Sequence, residues 1–124
     1  MSKDHLERSP QIYLSEIIFY IEKLETFTKG LNREEFLKDE LRIYAVDDLI
    51  RNIGEAVRVL AKHKQIKNLF YTYRIPYARL SEIRTDLTHE YFSVDTELLW
   101  FTAKDILPKL KPQFQKVLEE INKK

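Results

Sequence analysis

Three features of the 124-residue sequence predict an all-α fold, an up-and-down bundle of four main helices plus a short one. Apolar residues recur at three- and four-residue spacings in four separate stretches. No stretch alternates apolar and polar residues over the length of a strand. Helix start and stop signals fall between the stretches, at Ser9-Pro10, Gly30, Asn32, Pro76 and Asp95. The size predicts one domain over residues 1–124, long enough for a hydrophobic core.

Ser9 supplies an N-cap hydroxyl for the first helix, and the missing N–H of Pro10 costs nothing in the first turn. Tyr13, Ile17, Tyr20, Leu24 and Phe27 then repeat on one face, widened by Leu14, Ile18 and Ile21. Gly30 ends the helix where a left-handed residue is cheap. Asn32 with Glu35 makes a capping box for a short helix carrying Phe36 and Leu37. A third helix is expected over roughly residues 40–62, with Leu41, Tyr44, Ala45, Leu49, Ile53, Ala56 and Leu60 as its apolar positions. Gly54 lies inside it at a cost of up to ~1 kcal/mol against alanine, which calls for a close approach by another element.

The pattern degrades between His63 and Pro76. Lys64, Lys67, Tyr71, Tyr73 and Arg74 mix cations with rings there. Such a segment is either a platform for single-stranded nucleic acid or a connector anchored by its rings. Pro76 opens the next helix, with Leu80, Ile83, Leu87 and Tyr91 on its apolar side. Asp95 caps the last helix, in which Leu98, Phe101, Ile106, Leu110, Phe114, Val117, Leu118 and Ile121 form the stripe. Pro108 and Pro112 are expected to kink or split it. Trp100 reads as a core or interface residue, His5 and His63 as surface.

Composition excludes several classes. Absence of cysteine removes disulfide and thiol chemistry and fits a reducing, cytoplasmic compartment. No signal peptide or membrane span is expected. The net charge of +1 conceals a separation of charge. Residues 34–55 hold seven acids against three bases, whereas residues 62–84 hold six bases against Glu82 alone. Lys64, Lys67, Arg74 and Arg79 are therefore candidate RNA contacts, although solvated helix faces can also carry such charge.

The stretch richest in chemistry is Arg84-Thr-Asp-Leu-Thr-His89-Glu-Tyr91. Arg84 offers a fixed cation whose fork of donors matches phosphate oxygens. His89 can exchange a proton near neutrality. Five residues of regular helix place these two about 140° apart around the axis, so convergence needs an unwound helix end or a second copy across a groove. Arginine and histidine together suit cleavage of RNA, whose 2′-hydroxyl is a built-in nucleophile. No cofactor is expected, and no carboxylate or histidine spacing resembles a metal site. A histidine merely satisfied by a neighbouring acid is the structural alternative.

The wording of the motif resembles the HepT family, a branch of the HEPN superfamily marked by Arg-x4-His-x-Tyr. Arg51-Asn-Ile-Gly-Glu-Ala56, Thr28-Lys-Gly-Leu-Asn-Arg-Glu-Glu-Phe36, Phe92-Ser-Val-Asp95 and Asp105-Ile-Leu-Pro108-Lys-Leu110 resemble its other blocks, and the likeness covers about residues 10–118. Thr85 and Ser93 depart from the usual asparagine and glycine. The resemblance implies a HEPN-like helical homodimer, acting as the toxin of a toxin–antitoxin pair and cleaving mRNA or tRNA without a metal. It implies Arg84 as phosphate ligand, His89 as acid–base, and Thr85 or Asp86 as helper. It also implies a minimal nucleotidyltransferase antitoxin that attaches AMP to Tyr91. The alternative within the same resemblance is a non-catalytic HEPN domain that binds nucleotide or a partner.

Overall fold

The computed structural model describes residues 8–83 and 95–123. Every described element is helical. They are α1 (Pro10–Thr28), α2 (Arg33–Leu37), α3 (Glu40–Leu60), α4 (Lys64–Thr72), α5 (Tyr77–Ser81), α6 (Thr96–Phe101), a π-helical turn (Thr102–Ile106) and α7 (Leu107–Asn122). This is the all-α bundle that the periodicity predicts.

Helix α1 is the central rod. It packs on α3 along one side and on α7 along another. Its buried residues Tyr13, Leu14, Ile17, Ile21 and Leu24 recur at the spacing of one helical face. Ser9 caps its start, and Gly30 follows its end at φ 79°. The capping box of α2 forms as read: Asn32 Oδ1 accepts from the Glu35 N–H, and Glu35 Oε1 accepts from the Asn32 N–H. Phe36 is fully buried and meets the Trp100 ring at 5.0 Å. That contact, with the Arg33–Glu97 ion pair, ties α2 to α6.

In α3 the inward stripe is Val46, Ile50, Ile53, Val57 and Leu60. Leu41 and Tyr44 are instead exposed, at 81% and 62%. At about 100° per residue they lie on the far side from Val46. The expected stripe ran too far toward the N-terminus because apolar type was read without its angle.

Residues 64–72, where the sequence pattern degrades, form a regular helix. Ile66 and Phe70 are buried, and Phe70 sets its ring edge-on to Phe114 of α7. Only a narrow stripe is apolar, so the surrounding lysines, glutamine and asparagine mask the period. Helix α5 follows Pro76, and both Leu80 and Ile83 are buried, as their spacing requires. The remainder of that expected helix, including Leu87 and Tyr91, lies outside the described residues.

The two late prolines have different effects. Pro108 sits in the first turn of α7, immediately after the π-helical turn. An α-helix would press the ring against the carbonyl four residues earlier, and a locally wider turn relieves that contact. Pro112 lies inside α7, which continues without a break to Asn122. Its expected split is absent. Phe101, placed on the inner stripe by its spacing, is half exposed, while its neighbours Leu99 and Thr102 point inward.

Candidate functional site

Arg84, Thr85, Asp86, His89 and Tyr91 lie outside the described residues. The structure fixes the two ends from which that segment departs. On the entering side, Ile83 is buried beside Gly54 of α3. On the leaving side, Asp95 Oδ1 accepts from the Leu98 N–H at 3.0 Å, which caps α6. A cleft of about 570 Å³ lies between these ends, lined by Arg79, Leu80, Glu82, Ile83, Leu98, Phe101 and Thr102 among others. Thr102 Oγ1 is fully buried in its wall and has no hydrogen-bond partner among the described residues. A buried hydroxyl usually finds one.

The four basic residues singled out above divide between two places. Lys64 opens α4 and lines a hollow of about 490 Å³ with Gln65, Asn68, Leu69, Thr72 and Glu120. Arg74 and Arg79 come together in a second hollow, of about 850 Å³, with Tyr71, Thr72, Ile75, Pro76, Tyr77 and Ala78. Lys67 reaches the wall of this second hollow, with its ammonium 5.8 Å from the centre of the Tyr77 ring. The same ring stacks on Phe70 at 6.1 Å. Tyr77 is thereby fixed from within the bundle, while Tyr71 stands 81% exposed.

The backbone that makes this hollow is a helix C-terminus of defined type. The Ile75 N–H donates to the Phe70 carbonyl at 2.8 Å, and the Arg74 N–H donates to the Tyr71 carbonyl at 3.1 Å. These two bonds are the Schellman pattern, and buried Ile75 against buried Phe70 supplies its apolar contact. The pattern needs a left-handed residue, which is Arg74 at φ 60°. Glycine takes that conformation freely, whereas a residue with a Cβ pays roughly 1–2 kcal/mol. Gln113 of α7 locks the turn, since its Nε2 donates to the Tyr73 carbonyl at 3.0 Å and to that of Arg74 at 3.3 Å. Nothing in the sequence marks Gln113, a polar residue after a proline.

Ion pairing separates the arginines. Arg8, Arg33, Arg42, Arg51 and Arg58 each meet a carboxylate: Glu16, Glu97, Asp39, Asp47 and Glu55 respectively. The pairing raises the affinity of Arg8, Arg33 and Arg58 for their protons, chiefly through the side-chain hydrogen bond. Among the described residues, Arg74 and Arg79 alone of the arginines have no acidic partner. His63, expected at the surface, is exposed at the start of α4. Half-buried Trp100 packs on the core through Phe36.

An all-α bundle whose sequence carries an Arg-x4-His-x-Tyr segment defines a class that comparison with known proteins makes specific. The chain belongs to the HepT-like ribonuclease family, whose model matches residues 17–117. It is 34% identical over 118 residues to the candidate RNase MJ0125 of Methanocaldococcus jannaschii, covering 95% of this chain and 98% of that one. The candidate RNase MJ1216 of the same organism is 35% identical over 118 residues, covering 95% and 94%. A protein of Thermococcus cleftensis named as a probable ribonuclease HepT is 37% identical over 114 residues, covering 90% and 98%. No solved structure matches. No described helix is long and apolar enough to cross a membrane.

Proposed function

We propose that this protein is a metal-independent endoribonuclease, the toxin of a toxin–antitoxin pair, working as a homodimer. The observation that carries the reading is the extent of the family match: residues 17–117 enclose the whole Arg84–Tyr91 segment and both of its structured flanks.

The chemistry follows from the residue types. Arg84 holds the scissile phosphate and offsets the charge that builds on its oxygens during attack. His89 takes the proton from the 2′-hydroxyl, whose oxygen bonds to phosphorus as the bond to the 5′-oxygen breaks. A histidine acting as acid, His89 of either copy, returns a proton to that 5′-oxygen. The products are a 2′,3′-cyclic phosphate and a 5′-hydroxyl. Thr85 and Asp86 orient the pair. Lys64, Lys67, Arg74 and Arg79 attract the strand, because cations that neutralise phosphates dominate affinity for nucleic acid. A minimal nucleotidyltransferase antitoxin silences the site by transferring AMP from ATP onto the Tyr91 hydroxyl, with release of pyrophosphate. The added phosphate then repels RNA from the groove.

The test is incubation of the purified, unmodified protein with total cellular RNA in EDTA, beside His89→Ala. Cleavage that survives the chelator, leaves cyclic phosphate ends and vanishes in H89A is expected. Intact RNA with folded wild type would leave a non-catalytic binding domain as the reading.

A further inference from the structure

We infer that the hollow at the α4–α5 turn is a subsite for one unpaired nucleotide of the RNA: Tyr71 stacks the base while Arg74 and Arg79 hold the adjoining phosphates. The inference rests on the ribonuclease reading and adds to it a reason to prefer single strands.

Three independent observations converge on this place. The first is the charge: Arg74 and Arg79 line one hollow, and neither is neutralised by an acid among the described residues, unlike the five other described arginines. A cation with no acid partner among the described residues can take an external anion. Two of them, with guanidinium forks, suit phosphate oxygens. The second is the ring: Tyr71 is 81% exposed, far beyond what anchoring requires. Half-buried Tyr77, fixed by Phe70 and Lys67, forms the facing wall. A free aromatic face beside cations is the usual platform for a base of a single strand. The third is the backbone: the Schellman turn calls for glycine at position 74, yet the chain places arginine there at φ 60°. A locally unfavourable side chain held by a built turn is a mark of use. The hollow, about 850 Å³, has room for a mononucleotide.

An unpaired base is selected for a geometric reason. Bases inside an A-form duplex are covered on both faces by their neighbours and cannot lie on Tyr71, whereas loops and ends can splay a base outward.

The test uses the full chain carrying His89→Ala, so that bound RNA stays intact, and a fluorescent seven-nucleotide single-stranded RNA read by anisotropy. Tyr71→Ala is expected to weaken binding about tenfold, the loss of one base stack. Duplex made by annealing the complement should bind Tyr71→Ala and the parent equally. Arg74→Gly is expected to weaken single-strand binding and to lower the slope of log affinity against log salt by roughly 0.7, the amount that corresponds to one phosphate no longer neutralised. Glycine suits the backbone at position 74, so this variant remains folded, and circular dichroism melting checks it. Unchanged single-strand affinity in both variants, or equal losses on single strand and duplex, would overturn the subsite. In that case wild-type cleavage of total RNA in EDTA would still stand, so the two readings fail separately.

Discussion

Gly54 of α3 and Leu80 of α5 are in backbone contact: a Cβ added to Gly54 would lie 2.8 Å from the Leu80 carbonyl oxygen and 3.2 Å from Ile83 Cγ2. Real Cβ atoms do not come that close to a carbonyl oxygen, and a carbonyl fixed in a helix cannot step aside cheaply. Gly54→Ala sets two effects against each other. Alanine raises helix propensity by up to ~1 kcal/mol, while overpacking costs typically about 1–3 kcal/mol. We expect net destabilisation, read from the midpoint of a urea titration. Cleavage should fall with it, because the displaced strut, from α5 to Ile83, leads directly into Arg84. A variant as stable as the parent would mean that α5 shifts without penalty.

Arg74→Gly should act in the opposite direction on stability. The substitution removes the steric cost of a Cβ in a left-handed residue, offset in part by the greater freedom of glycine in the unfolded chain. A gain of up to about 1 kcal/mol is expected, seen as a higher melting temperature. Arg79→Gly, a control within α5, should lower stability instead.

Tyr73 links α4 to α7 through a hydrogen bond from its hydroxyl to Glu120 Oε2 at 2.9 Å. That bond, more than desolvation, holds the phenol above its usual range. A folded-state pKa above the unfolded one means that the linkage is fully present below about pH 10 and is lost as pH rises through the folded value. Wild type should therefore be more stable than Tyr73→Phe at pH 8. The difference between them should shrink in urea titrations taken at progressively higher alkaline pH. A difference that stays constant through that range would show that Glu120 does not govern the phenol.

Asp95 caps α6 at the point where the chain returns from the Arg84–Tyr91 segment. Asp95→Ala should cost about 1 kcal/mol of stability, and cleavage should decline because the segment loses one of its anchors. Asp95→Ser, which keeps a capping oxygen, should recover most of both. Equal activity in the alanine and serine variants would separate the cap from the site.

The periodicity in the sequence carries most of the architecture, and particular residues show where it fails. Ser9, Asn32, Gly30 and Asp95 act where their chemistry places them, because capping is local and needs no knowledge of tertiary contacts. Gly54 signals a close approach but not its partner, since Leu80 is far along the chain. Helix α4 is hidden because Ile66 and Phe70 form so narrow a stripe that the flanking lysines dominate its composition. Leu41 and Tyr44 show the reverse error, apolar residues on a face that nothing covers among the described residues. The hollow at the α4–α5 turn is half legible. Tyr71, Arg74 and Arg79 stand out by type, but the left-handed turn and its lock by Gln113 depend on α7, some forty residues away. Lys64, also grouped with them by charge, lines a different hollow.

The central position of α1 also bears on synthesis. Its buried residues need α3 on one side and α7 on the other, and α7 leaves the ribosome after the Arg84–Tyr91 segment has been made. The core therefore cannot close around a partial nascent chain. A chain cut short before Leu107 lacks one of the two walls that bury α1.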